Sequence, residues 1–461
     1  MNSKKFDFDI IIIGSGAAGS AAAFSAASAG LRVALVESEK WGGSYQNYLD
    51  IPFRAASTFA HSLYSAKCSA RFGVSSGSLR FNYPTFRKWQ ASVMKKSHAD
   101  NKSFFENSGI ICLSGLAHFL SPYELSVGKR TYSAPKFLIA SGFSLDSGNI
   151  AGLESCEVDT ERTVFSFARL PKTLAIIGGG TTGVELSEYF SSLGVKVTLF
   201  ELSARLLPRE DEEVGASVSK YLEDSLRVHI LTQSRVISVA KSSSELSLSF
   251  LRGGLKKTAK FEKCILATGH KPSLDLGLEN AGVKYSSDGI KVDDYLQTSM
   301  KHIYAAGDCI TTDYACPKPT ELSSYEGSLA VSNLFNRQRN LVSRSGFIRT
   351  TNLYPTISCV GLTESECLSR NTKYKKSVVC LSDIPASSIE DFYIGFLKLL
   401  VDQKNRLIGA SLVCPNSELL ASELALAVRH SLSATELASS PVTSSSWSEL
   451  IRLASRNLLK K

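Results

Sequence analysis

The chain has 461 residues, too many for one compact core, so two to four domains are expected. It is 43% hydrophobic and 21% charged, with a formal charge of +9, and its Lys and Arg residues form no run interleaved with aromatics. That composition argues against a nucleic-acid binder and for a globular protein whose mildly basic surface attracts anionic nucleotides.

In chain order, Lys4 and Lys5 precede an apolar stretch that imitates a signal peptide, but Asp7 and Asp9 interrupt it. Ile10–Ile13 then predicts a buried strand, Gly14-x-Gly16-x-x-Gly19 a tight turn into a helix, and a second strand ends at Glu37. The first glycine permits the turn, the second lets backbone approach a pyrophosphate, and the third lets helix pack on strand. The helix N-terminus offers unpaired N–H groups to phosphate, and the terminal acid suits ribose hydroxyls.

The same unit recurs. Residues 10–37 read IIIIGSGAAGSAAAFSAASAGLRVALVE and residues 174–201 read LAIIGGGTTGVELSEYFSSLGVKVTLFE. Gly178, Gly180, Gly183, Gly194 and Glu201 each lie 164 positions beyond Gly14, Gly16, Gly19, Gly30 and Glu37, without a gap. Two complete units predict two bound dinucleotides. Three further segments read as buried strands ending in small-residue turns: FLIASG (137–142, ending at Gly142), CILATGHKP (264–272, containing Gly269) and IYAAGD (303–308, ending in Gly307 and Asp308). No segment offers the roughly 20 apolar residues of a membrane span, so a cytoplasmic protein is expected.

With these motifs the chain resembles the pyridine nucleotide–disulfide oxidoreductases of the lipoamide dehydrogenase, glutathione reductase and mercuric reductase group. The resemblance implies an α/β fold: two Rossmann-like dinucleotide-binding domains, for FAD and NAD(P), and an α+β C-terminal dimerisation domain. The expected boundaries are 1–150 and 273–345 for the FAD domain, 151–272 for the NAD(P) domain and 346–461 for the interface domain of a homodimer. It assigns Gly14, Gly16, Gly19, Glu37, Gly43, Gly142, Gly307 and Asp308 to FAD, with Asp308, the end of TxxxxxYAxGD (298–308), on the ribitol. Gly178, Gly180, Gly183, Glu201 and Gly269 go to the nicotinamide nucleotide. Glu201 favours NADH by repelling a 2′-phosphate, while Arg205 keeps NADPH as the alternative. Glu185 matches the family glutamate near the nicotinamide. Its other reading is charge compensation at a helix N-terminus.

Two departures stand out. The family segment GGTCxNxGCxPSK reads GGSYQNYLDIPFR here (42–54), so Tyr45 and Asp50 replace both redox cysteines and Arg54 replaces the lysine, with a charge able to pair with Glu185. The C-terminal HPTxSE reads SSSWSE (444–449), which lacks the histidine. Glu449 survives as a catalytic candidate, although Ser446-x-x-Glu449 also reads as a capping box. The ten cysteines form no CxxC or zinc-type pattern and read as free, mostly buried thiols with no metal site. Cys309 and Cys316 are the nearest substitute redox pair.

The expectation is therefore an FAD-dependent NAD(P)H oxidoreductase passing electrons to a small non-thiol acceptor such as a quinone. Glu185, Arg54, Asp50 and Tyr45 are its reaction-site residues, and the partner subunit's Ser444 and Trp447 line the acceptor side. The alternatives are a disulfide reductase with displaced cysteines, or a flavin-bound redox sensor without turnover.

Overall fold

The computed structural model describes residues 6–74, 81–98, 101–312 and 317–460. They form two compact units, residues 1–52, 87–146 and 269–344 in one and residues 53–86, 147–268 and 345–461 in the other. The chain leaves the first unit after Asp146 and re-enters it at Gly269, where the sequence expectation placed these crossings near 150 and 272. The segment 53–86, expected with the FAD domain, clusters with the second unit instead.

The first unit is built on a five-stranded parallel sheet in the order Ile303–Ala305, Phe137–Ile139, Ile10–Ile13, Val33–Glu37, Ile111–Ser114. Burial on both faces of the sheet explains why its central strands are apolar throughout rather than alternating. Ile10, Ile11 and Ile12 are wholly buried, each contributing about 1.5–3 kcal/mol relative to exposure. The alanine-rich helix Ala17–Ser28 packs against Thr320–Phe335 so closely that a Cβ on Gly327 would lie 2.0 Å from the Ala18 carbonyl oxygen. A three-stranded antiparallel meander, Ala117–Ser121, Glu124–Val127 and Arg130–Ser133, completes the unit.

The second unit contains a four-stranded parallel sheet, His229–Leu231, Lys196–Phe200, Thr173–Ile177 and Lys263–Leu266. The antiparallel strands Ser234–Ser242, Glu245–Arg252 and Leu255–Phe261 form a separate sheet. Its C-terminal part is a five-stranded antiparallel sheet in the order Ile348–Thr351, Ile357–Gly361, Leu407–Val413, Phe396–Val401, Lys375–Cys380. Phe396–Val401 and Leu407–Val413 pair as an antiparallel hairpin, and the helix Ser417–Arg429 follows it.

Thr363 and Glu366 form a capping box: the Thr363 hydroxyl accepts from Glu366 N–H at 3.2 Å and the Glu366 carboxylate from Thr363 N–H at 2.8 Å. The box anticipated at Ser446 and Glu449 does not form. The last helix, Glu449–Leu459, starts at Glu449 itself, Ser446 donates to the Thr443 carbonyl, and Glu449 pairs with Arg452 one turn on. Trp447 is buried in the core of its own unit, which removes it from the acceptor-lining role expected in the partner subunit. None of the described helices is long and apolar enough to cross a membrane.

Candidate functional site

The two nucleotide units repeat down to individual hydrogen bonds. Gly14 N–H donates to the Val36 carbonyl at 2.8 Å, and Gly178 N–H to that of Phe200 at 2.8 Å. Both glycines hold positive φ, 100° and 114°, and a Cβ would strike the carbonyl oxygens of Ala140 and Ala267 at 2.2 and 2.1 Å. A Cβ on Gly19 or Gly183 would sit 1.8 Å from the carbonyl oxygen of the first glycine of its unit. These four glycines are required by the protein's own backbone.

The middle glycines differ. Gly16 and Gly180 stand before the helices Ala17–Ser28 and Thr181–Ser192, with no side-chain cap and no acid within either first turn. A Cβ on Gly16 would meet nothing nearer than Gly43 Cα at 4.0 Å, and one on Gly180 would meet nothing within 4 Å. Unspent helix N–H groups before open space are what a pyrophosphate requires, so the residues present fit a dinucleotide in each unit. Gly43, at φ 64°, packs its own backbone on Gly16.

Each terminal acid is aimed by its glycine loop. Glu37 Oε2 accepts Ser15 N–H at 3.0 Å and Oγ–H at 2.6 Å, and Oε1 accepts Glu39 N–H at 2.8 Å. Glu201 repeats this with Gly179 N–H on Oε2 and Ser203 N–H on Oε1, both at 2.6 Å. An ionised carboxylate accepts about four bonds, so both acids keep capacity for a ribose hydroxyl. Arg205 is occupied by the carbonyls of Glu210 and Pro208, at 2.8 and 3.0 Å. Gly142 and Gly269 close the turns after their strands, and their carbonyls accept Ser273 and Asp146 N–H.

Asp308 closes the first unit's site. Burial raises its pKa to about 6, against the Lys318 N–H bond to Oδ1 (2.6 Å) and the Lys318 charge. Lys318 Nζ is itself buried, donating to the Gly307 carbonyl at 2.8 Å and to Glu326 at 3.0 Å. Glu326 also accepts Gly307 N–H and Arg344 Nε, at 3.0 and 2.9 Å. The sequence reading missed Lys318, Glu326 and Arg344. Their only signal was charge inside or beside an otherwise apolar helix pattern.

At the redox-cysteine positions, Asp50 Oδ2 accepts Thr320 Oγ1–H at 2.6 Å, where Thr320 opens its helix. Asp50 keeps solvent contact, yet surrounding protein displaces enough water to raise its pKa. The Thr320 bond opposes that shift and the Glu321 charge adds to it. Tyr45 is 37% exposed, its phenol pushed up by partial burial and by the charges of Asp50 and Glu321.

In the second unit Arg54 does not take Glu185 as its ion-pair partner. Its guanidinium pairs with Glu418 at 2.7 Å and donates to Asn352 Oδ1 at 2.8 Å. Asn352 in turn gives its N–H (2.5 Å) and Nδ2–H (3.1 Å) to Glu185 Oε1. Asn352, invisible as a functional residue in the sequence, thus bridges the two expected partners.

Among the described residues every cysteine is free. Cys309 is buried, its thiol pushed up to about 11 by desolvation and its Sγ bonded to the Ala306 and Ile139 carbonyls. Its suggested partner Cys316 lies outside the described residues.

Residues 8–327 match the model of the pyridine nucleotide-disulphide oxidoreductase family, and residues 349–454 match that family's dimerisation domain. The chain belongs to this family. A mercuric reductase of Bacillus cereus is 29% identical over 97% of this chain and 71% of that protein. A dihydrolipoyl dehydrogenase of Mycobacterium tuberculosis (strain ATCC 25618 / H37Rv) is 30% identical over 96% of this chain and 97% of its own length. Among solved structures, the HOCl-induced flavoprotein disulfide reductase RclA from Escherichia coli superposes with a TM-score of 0.85, covering 98% of this chain and all of that one, at 24% identity. Membership makes this chain a flavoprotein-type oxidoreductase using a pyridine nucleotide. Its cysteine positions carry Tyr45 and Asp50.

Proposed function

We propose that this chain is an FAD-dependent NADH oxidoreductase that hands electrons to a small non-thiol acceptor of the quinone type. The observation carrying it is the pair Tyr45 and Asp50 where the family reads two cysteines, in a chain that keeps two complete nucleotide cradles. Thiol–disulfide exchange needs an attacking thiolate, and the buried Cys309 thiol is held protonated.

FAD, when bound, supplies the two-electron relay between nicotinamide and acceptor. This chain's residues place the partners. The helix N-termini at Gly16 and Gly180 take the pyrophosphates, Glu37 and Glu201 the riboses, and Asp308 the ribitol. Glu185 and Arg54, tied through Asn352, orient the nicotinamide, while Tyr45 and Asp50 meet the acceptor. Asp50, with its raised pKa and its bond from Thr320, can hold the proton an acceptor oxygen needs on reduction. Glu449, engaged with Arg452, is a helix-start residue in this reading.

A second reading, a disulfide reductase using displaced cysteines, is favoured by the names of the mercuric reductase and disulfide reductase relatives. Anaerobic dithionite titration separates the two. Two electrons per FAD, with quinone reduction that survives thiol alkylation, is the expected result. Four electrons per FAD, or loss of activity on alkylation, would establish the dithiol reading.

A further inference from the structure

Gly307 and Asp308 follow the buried strand Ile303–Ala305, and Gly307, at φ 77°, is itself buried. Its N–H and carbonyl therefore need partners inside the protein, and both receive charged ones. Glu326 Oε2 accepts the N–H at 3.0 Å, Lys318 Nζ donates to the carbonyl at 2.8 Å, and the two side chains bond each other at 3.0 Å. The Lys318 and Glu326 side chains are enclosed, at 2% and 0% exposure. Lys318 also holds the next residue, giving its backbone N–H to Asp308 Oδ1 at 2.6 Å. Pro319, the N-cap of the helix Thr320–Phe335, biases Lys318 to extended backbone. Backbone and side chain of Lys318 thus both reach the 307–308 turn.

We propose that Lys318 is a positioning residue for Asp308: its ammonium fixes the Gly307 carbonyl so that the Asp308 carboxylate faces the ribitol of FAD, and it acts on that end of the cofactor alone. The proposal rests on the assignment of Asp308 to the ribitol in the functional reading above.

Neither the buried acid nor the helix that bears it depends on Lys318. Glu326 also carries Arg344, Nε to Oε1 at 2.9 Å, so its charge stays paired when Lys318 is removed. The helix Thr320–Phe335 is seated on Ala17–Ser28 through Gly327, whose backbone lies against that of Ala18. The pyrophosphate cradle therefore keeps its support without Lys318. A buried ion pair seldom adds net stability over apolar side chains of its own size, which argues for a local task. That task is the Gly307 carbonyl. Without Nζ it keeps, among the described residues, the longer bond from Ile310 N–H at 3.3 Å. Glycine turns more freely than any other residue, so the peptide can swing toward a better donor, and Asp308 swings with it.

The test is titration of the full-length apoprotein with FAD, alone and with ADP as competitor, since ADP carries the pyrophosphate but no ribitol. Lys318→Met should weaken FAD about 10- to 100-fold, the range for losing a hydrogen bond to a charged group. The inhibition constant of ADP should stay within about twofold, because a local change leaves a separate subsite alone. Lys318→Gln keeps an N–H donor and should fall between the two, and it carries the same comparison if the Met variant does not fold. In Asp308→Ala, where no carboxylate remains to be aimed, adding Lys318→Met should change FAD affinity by no more than about twofold. Equal weakening of FAD and ADP, undiminished FAD affinity in Lys318→Met, or full additivity with Asp308→Ala would overturn the proposal. If the unaltered apoprotein takes up no FAD, the cofactor reading fails and the proposal falls with it.

Discussion

At the scale of single residues, the glycines separate by what limits them. Gly14 and Gly19 are pressed against backbone, so any substitution there disturbs the fold. Gly16 and Gly180 face open space, so a side chain there leaves the fold intact and blocks only a ligand. Gly16→Val should purify folded and colourless, and Gly180→Val should keep its flavin but lose saturable NADH reduction. Full FAD occupancy in Gly16→Val would refute the cradle. Nucleotide choice belongs here as well: Glu201 is fixed by two backbone bonds and Arg205 is engaged elsewhere, so NADH should give the higher kcat/KM. Equal use of NADH and NADPH would remove Glu201 as the discriminator. Glu188 also bears on stability. Its folded pKa is about 8 against an ordinary 4.5, so between those values the folded state keeps a proton that the unfolded state has released. Stability should therefore fall as pH rises through that window, by up to about 1.4 kcal/mol per pH unit, and level off above it. Glu188→Gln lacks this term, so its advantage in chemical denaturation should grow from about pH 5 to 8. A constant difference across that range would show that Glu188 is ionised when folded.

At the scale of elements, the C-terminal sheet is anchored by charge as well as by apolar packing. Lys398, buried mid-strand, reaches Asp211, Glu213 and Glu364 at 2.9, 2.8 and 2.7 Å. Burial opposes the charge on Glu364, but bonds from Lys398, Lys376 and Tyr374 outweigh it and hold that carboxyl at about 2. Glu364 opens the short helix Glu364–Ser369, whose Thr363 cap satisfies an N–H that the helix cannot. Thr363→Ala should cost about 1 kcal/mol in urea unfolding, typical of a lost N-cap. A cost near zero would mean that Glu366 and the ion cluster hold the helix start alone. The failed box at Ser446 makes the contrast. The same sequence pattern sits there beside Arg452, which takes the glutamate, and beside a buried Trp447 that sets the entry path of the chain.

At the scale of the molecule, the dimerisation-domain match over residues 349–454 predicts a homodimer in solution. Helix Ser417–Arg429 leaves Leu419 and Leu426 exposed seven residues apart, as a helix awaiting a cover would. Light scattering should give about twice the chain mass of 49.9 kDa. A stable monomer at micromolar concentration would leave those leucines unexplained.

The sequence by itself determined the architecture around the nucleotides. Glycine spacing, strand apolarity and a terminal acid are local constraints, and repeating them 164 positions apart leaves little for tertiary context to change. It also located the substitution of both redox cysteines, because a missing side chain needs no structure to be seen. Only the tertiary structure decided which charges meet. Arg54 went to Glu418 rather than Glu185, Asn352 came from a loop almost 300 residues away to stand between them, and Lys318 turned inward to Glu326. Pairing of buried charges depends on which elements desolvate them together, and that is a property of packing between distant segments that no local pattern carries.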